Sequence, residues 1–378
     1  MLQEALEYGK ILPEKIPKKG GTIMKKFLML TALILALTLL AGCAGTTVVY
    51  TNQCTCPTGG HTNTPNTPNN PNPPVVGEGS VKTGLAIVAG IGKSKDASAA
   101  EYDVTIVAVN VDDEGVITDC VIDSVGTKVS FDATGTITTD VKNTQIKTKN
   151  ELGYDYGMVG AGAKHEWFQQ AEALANFAVG KTVAQLKEGA IDETGKAPAG
   201  SDLASTATIY LGGYVAAIEE AVKNATHLGA QSGEELILVT KSSVGSSKNA
   251  TAEKAGVAQL DITAMALNEK DGVITACAID AVQAKVSFDT TGKISTDLKA
   301  PIKTKNQLGR DYGMVNAGSK YEWNEQAASF AKYVTGKTAQ QVADIAVTEG
   351  KPTDADLAAT VTIAIGDFQT LVAKAFAK

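Results

Sequence analysis

The stretch IKTKNELGYDYGMVGAGAKHEWFQQA, residues 146–171, recurs as IKTKNQLGRDYGMVNAGSKYEWNEQA, residues 302–327, with 19 of 26 positions identical and no gap. Self-similarity over such a distance marks two copies of one unit, and it sets the domain count before any other signal. The flanks repeat as well: GVITDCVID (115–123) with GVITACAID (272–280), and KVSFDATGTI (128–137) with KVSFDTTGKI (285–294). The first copy is read as residues 81–226 and the second as 234–378, joined through THLGAQSG. A position kept in both copies is kept by the unit, whether for folding or for chemistry.

Upstream of the doubled stretch the pattern is that of strands. GLAIVAGIG (84–92) and ELILVTKSSVG (235–245), then EYDVTIVAVNV (101–111) and AGVAQLDITAMALN (255–268), are rich in β-branched and small apolar residues. An acidic residue followed by the Gly of each GVIT places a tight turn, and each KVSF segment is read as a further short strand pair around its TG turn. Consecutive strands with short connections predict an antiparallel sheet.

Downstream the period changes to that of a helix. Trp167, Ala171, Leu174 and Phe177 recur at helical spacing up to Gly180, as do Trp323, Ala327, Phe330 and Val334 up to Gly336. A short amphipathic segment follows in each copy (VAQLKEGA and AQQVADIA). Each copy closes with DLASTATIYLGGYVAAIEEAVKNA (202–225) or DLAATVTIAIGDFQTLVAKAFAK (356–378), read as a strand through TATIYL or TVTIAI and a helix from Gly212 or Gly366, with Asp367 as a candidate cap. The predicted fold class is α+β: two tandem repeats, each an antiparallel sheet with helices packed on one face.

At the amino end, residues 24–43 read MKKFLMLTALILALTLLAGC: two lysines, an apolar run and small residues before Cys43. This is the layout of a secretory signal, and the apolar run is short for a membrane span. LAGC (40–43) resembles the lipobox of bacterial lipoproteins, which implies a signal peptide over 24–42, cleavage before Cys43, diacylation of its thiol and anchoring to the lipid bilayer on the extracytoplasmic face. Two acyl chains give stable anchoring where one is marginal. Residues 1–23 are too long and too mixed in charge for the start of such a signal, so translation is expected to begin at Met24. Residues 43–80, dense in Thr, Asn, Pro and Gly, form a solvated tether. Residues 1–42 hold six of the 34 basic and three of the 41 acidic residues, leaving 28 against 38, a net charge of −10. That balance argues against nucleic acid as a partner. Cys120 and Cys277 alternate with apolar neighbours and are expected as buried thiols. Cys54 and Cys56 lie in the tether at no zinc-site spacing.

The closing stretch carries the chemistry of most interest. Asp202, Leu203, Ala204, Ser205, Thr206, Ala207 and Thr208, ahead of a helix, resemble the DxxSGAT motif of FMN-binding domains, a family that includes surface electron-transfer lipoproteins. The resemblance implies FMN as cofactor, esterified through its phosphate to Thr208 and, in the second copy, to Thr362, with a redox partner at the cell surface. Asp202, Ser205 and Ala207 are the other motif positions kept. Thr206 stands where the motif has Gly, and Ala359, Thr360 and Val361 stand for Ser, Gly and Ala in the second copy. A β-branched residue there lacks the freedom of Gly. The other reading is a flavin-free surface module, ligand-binding or structural, that kept the fold and lost the attachment motif.

In the doubled stretch, Lys147, Lys149, Lys303 and Lys305 are candidates to pair a phosphate. Tyr156 and Tyr312, with Trp167 and Trp323, are candidates to stack on a flat ring. The same residues serve a structural reading, in which Trp anchors the helix to the sheet. Asp155 and Asp311 fix a turn, and Glu166 and Glu322 suit the start of a helix. The three histidines have no counterparts in the second copy, so the repeat offers no shared Ser-His-Asp triad. GKT at Gly180 and Gly336 ends a helix and lacks the preceding Gly of a phosphate loop.

Overall fold

In a computed structural model the described residues are 79–377. The signal segment, Cys43 and all but the end of the tether lie outside them. Every described residue belongs to one compact unit. That unit is mixed α and β, with antiparallel sheets and helices.

In chain order, β1 (Ser80–Gly90), β2 (Ala99–Val111) and β3 (Ile117–Ser130) are followed by α1 (Lys149–Leu152), a 3-10 turn (Gly153–Tyr156), α2 (Trp167–Ala178), α3 (Val183–Ala190), α4 (Asp202–Thr206) and α5 (Gly212–Lys223). Then come β4 (Thr226–Gln231), β5 (Glu235–Ser243), β6 (Gly256–Lys270), β7 (Val273–Phe288), α6 (Lys305–Leu308), a second 3-10 turn (Gly309–Tyr312) and α7 (Trp323–Val334). The chain closes with α8 (Ala339–Ala343), β8 (Val347–Thr348), β9 (Lys351–Pro352), α9 (Ala355–Ala358) and α10 (Gly366–Ala375). The sheets run β3-β2-β1-β4 and β5-β6-β7, with β8-β9 a small separate pair.

Strand alternation divides the apolar residues between cores. Tyr102, Val104, Ile106 and Ala108 of β2 share one core with Leu260, Ile262, Ala264 and Ala266 of β6. The intervening Val107, Val109 and Val111 turn instead toward Trp167, Leu174 and Ile218 of the helices. Met265 and Leu267 of β6 likewise meet Trp323, Phe330 and Leu371. The central strands are therefore covered on both faces, which is why they read as nearly unbroken apolar runs.

Phe131 and Phe288 stack across the shared core with centroids 4.0 Å apart and rings 1° from parallel. The two TG turns beside them reach across in both directions. Ala250 N donates to the Gly135 carbonyl and Ala97 N to the Gly292 carbonyl, each at 2.8 Å. Ile137 N donates to Asn249 Oδ1, and Ile294 N to Asp96 Oδ1. Both glycines have positive φ, and a Cβ would come within 2.6 Å of the Asp289 carbonyl oxygen at Gly135 and 2.5 Å of the Asp132 carbonyl oxygen at Gly292. The turn tips need glycine for conformation and for space. Two further links run between the segments: Lys374 pairs with Glu151, and Gln307 Nε2 donates to Glu220 Oε1 at 3.2 Å.

The structure corrects four local expectations. KVS is the end of a long strand, and each TG turn is closed by a single bridge, Phe131 with Ile137 or Phe288 with Ile294. THLGAQ is strand β4, antiparallel to β1. TATIYL and TVTIAI are not strands: α4 covers Asp202–Thr206, and both segments continue as loops into α5 and α10. Their amides are taken by a side chain, described below, so no ladder forms despite β-prone residues. Asp367 is not the cap of α10: that position is Ile365, and Asp367 in the first turn pairs with Lys241. Helices do start at Gly212 and Gly366, and Cys120 and Cys277 are buried as free thiols.

Candidate functional site

The doubled stretch is stitched to the sheet by buried polar groups. Thr148 and Thr304 cap α1 and α6 through capping boxes with Glu151 and Gln307. Asp123, buried near the middle of β3, accepts from Asn150 N at 3.1 Å, while Asn150 Nδ2 donates to the Ile122 carbonyl. Asp280 holds Asn306 in the same way on β7. Burial pushes both carboxyls up, Asp280 to about 6, against the lowering pull of Thr and backbone donors.

The cap geometry places Lys149 and Lys305 at the first position of their short helices, with each ammonium against two rings. Lys149 Nζ lies 5.2 Å from the Tyr156 centroid and 4.9 Å from Trp167. Lys305 Nζ lies 4.9 Å from Tyr312 and 4.5 Å from Trp323. Such contacts stabilise by roughly 0.5–2 kcal/mol, more when desolvated. Desolvation lowers the Lys305 pKa, opposed by Asp261 and Asp280. Lys147 and Lys303 are exposed and stand outside these stacks. Trp167 donates through Nε1 to the Tyr214 hydroxyl at 2.9 Å. Both tryptophans are buried, so neither offers an open face to a flat ligand. Tyr156 keeps partial exposure.

Glu166 and Glu322, also buried, clamp the glycine-rich turn ahead of the main helices. The two Glu166 carboxylate oxygens accept from Met158 N and Val159 N, both at 2.9 Å, and Glu322 repeats this with Met314 and Val315. Asp155 and Asp311 sit in the 3-10 turns.

One helical turn beyond Trp167, Gln170 is fully buried, and its carboxamide organises the loop after α4. Gln170 Oε1 accepts from Thr208 N at 2.8 Å, from Thr208 Oγ1 at 3.1 Å and from Ile209 N at 3.1 Å, while Nε2 donates to the His165 carbonyl at 3.0 Å. Gln326 makes the matching bonds to Thr362 N, Thr362 Oγ1 and Ile363 N, and donates to the Tyr321 carbonyl. Thr208 and Thr362 are themselves exposed. Lys164 Nζ donates to the Ser205 carbonyl at 3.0 Å and Lys320 Nζ to the Ala359 carbonyl at 3.4 Å. Ser205 Oγ donates to the Asp202 carbonyl within α4, and Asp202 is exposed in its first turn.

The structure thus joins the doubled stretch to the motif-bearing loop through Gln170 and Lys164, or Gln326 and Lys320. Sequence reasoning did not single these residues out, although both pairs are identical in the two copies, as are Asp123 and Asp280. Chemically, each loop presents a surface hydroxyl held in place by a buried carboxamide, with an ammonium group bonded to a nearby backbone carbonyl. A hydroxyl in that position can be esterified without opening the core. In comparisons with known proteins, no family model, no curated protein and no solved structure matches this chain.

Proposed function

We propose that the chain is a lipoprotein anchored through Cys43 at the extracytoplasmic membrane face, carrying two copies of one α+β unit that resemble FMN-binding domains. Each unit has an antiparallel sheet with helices on one face, and the two meet sheet against sheet. The reciprocal turn contacts and the Phe131–Phe288 stack support that arrangement. In this reading Thr208 and Thr362 hold FMN through Oγ–phosphate ester bonds, and the protein is a surface electron carrier.

The observation that carries the proposal is the pair of exposed threonine hydroxyls, each fixed by a buried glutamine just ahead of a closing helix. FMN, when attached, supplies the redox chemistry of its isoalloxazine ring. The chain's own residues hold the loop still through Gln170 and Gln326, and offer Lys164 and Lys320 near the phosphate. Asp202 and Ser205 shape the short helix before the acceptor. The threonine in place of the motif's glycine sits in helical backbone at Thr206, where a β-branched residue is tolerated.

The stacks favour the second reading, a flavin-free ligand-binding or structural module. Lys149, Trp167, Lys305 and Trp323 are engaged with one another, so little of the doubled stretch is free to grip a ring. Coexpression of the full chain with a flavin transferase decides between the two. Flavin fluorescence that survives denaturation, with added mass on Thr208 or Thr362 and loss of each label in Thr208→Val or Thr362→Val, supports the carrier. A chain that takes up no flavin under those conditions leaves only the flavin-free module.

A further inference from the structure

Away from the threonine loops, a cleft of about 970 Å³ opens between β1, β4 and the end of α5 on one side and β7, α6 and α7 on the other. Its size falls within the range of small-ligand sites. The walls are largely apolar, with Leu85, Leu228, Cys277 and Ile279 contributing. Polar side chains lie on both walls, Thr83, Asn224 and His227 on one and Asn306 and Gln307 on the other, and those on α7 are unevenly placed along it. Near the start of the helix, Asn324 Oδ1 is buried with no hydrogen-bond partner, and on β7 the buried Asp280, whose Oδ1 accepts from Ala281 N and Asn306 N, lines the same cleft. Toward the helix end, the exposed Lys332 supplies a cation. A buried acceptor without a donor is costly, and a ligand donor would relieve it.

We infer that this cleft binds a short apolar peptide, with its amino-terminal ammonium at Asn324 and Asp280 and its carboxylate at Lys332. Asn324 and Lys332 are separated by about 12 Å along the helix at 1.5 Å per residue. An extended chain rises about 3.3 Å per residue, so three or four residues span that distance. The acceptor end matches an ammonium and the lysine end a carboxylate, while the apolar walls suit alanine, valine or leucine side chains between them.

The test is titration calorimetry of the full chain with the tetrapeptide Val-Ala-Leu-Ala, in free, N-acetylated and C-amidated forms. The expected result is saturable binding of the free peptide, weakened at least tenfold by acetylation or by Asn324→Leu, and weakened by amidation or by Lys332→Gln. Ala328 is exposed on the cleft side of α7, so Ala328→Trp fills the cleft without entering the core and is expected to abolish binding. Failure of the free peptide to bind at millimolar concentration, or binding indifferent to Ala328→Trp, overturns the assignment. Flavin uptake is expected to be unchanged in Ala328→Trp, which keeps this test separate from that of the threonine loops.

Discussion

Gln326 offers the sharpest test of how the doubled stretch works. The side chain is fully buried, and it receives Thr362 N at 2.7 Å, Thr362 Oγ1 at 3.2 Å and Ile363 N at 3.1 Å while giving Nε2 to the Tyr321 carbonyl at 3.0 Å. Gln326→Met keeps length and approximate volume and removes every one of these bonds. At about 1 kcal/mol net for each good bond, with a further penalty for backbone groups left unpaired, the full cost is about 4 kcal/mol or more. Thr362 is exposed, so water reaches part of the loop and reduces the loss to about 2–4 kcal/mol. Urea unfolding reads this as a lower midpoint at unchanged slope. Amide exchange should quicken at Thr362 and Ile363 before anywhere in β6. Gln170→Met, with the same bonds to Thr208 and Ile209, should cost a similar amount. A loss below about 0.5 kcal/mol in either variant, or unchanged exchange at those amides, would refute the idea that the glutamine holds the loop.

Burial raises the Asp280 carboxyl from its ordinary 3.8 to about 6. Between those values the folded state keeps a proton that the unfolded state has lost, so this group's contribution falls as pH rises from about 4 to about 6 and is level above; the span is on the order of 3 kcal/mol. Asp280→Asn should remove that slope, seen as the difference between wild-type and variant stability measured across the window, and an unchanged slope would count against the burial account. Phe288→Ala, at a fully buried ring, should cost about 3–5 kcal/mol in chemical denaturation. Gly135→Ala should destabilise by more than 1 kcal/mol, because it combines positive φ with a Cβ pressed on the Asp289 carbonyl; a thermal midpoint equal to wild type would show that the turn yields.

Much of the fold was legible because the patterns are local. Period-two alternation in EYDVTIVAVNV and the helical spacing from Trp167 are properties of a dozen residues, and glycine at positions 180 and 336 marks the helix ends in the sequence as in the structure. What stayed hidden depends on distant partners. TATIYL has the composition of a strand, yet the Thr208 and Ile209 amides are claimed by Gln170, 38 and 39 residues earlier. THLGAQSG looks like a linker because of its glycine and polar residues. In the fold it pairs with β1, and Gly229 is needed where a Cβ would lie 2.5 Å from the Thr275 carbonyl oxygen. No window of neighbouring residues contains either fact.

The candidate site followed a different logic. Identity between the copies drew attention to Lys149, Tyr156, Trp167 and their counterparts, and the structure shows them among contacts that join turn, helix and sheet: a capped turn clipped by Asp123, a lysine between rings, a glutamate clamping the Met158 and Val159 amides. These contacts that join one element to the next are made by residues identical in the two sequence copies, whatever each copy binds. Function peculiar to one copy is therefore to be sought where the copies part. Around the cleft they do so repeatedly. Asn324 stands for Phe168, Ala328 for Glu172 and Lys332 for Asn176. Phe168 and Glu172 of the first copy give way to smaller residues, Asn176 gives way to a lysine that brings a cation, and the amide in place of the apolar ring has an acceptor that lacks a partner. The threonine loops, alike in both copies, suit a role performed twice; the cleft, where Asn324, Ala328 and Lys332 are peculiar to the second copy, suits a role performed once.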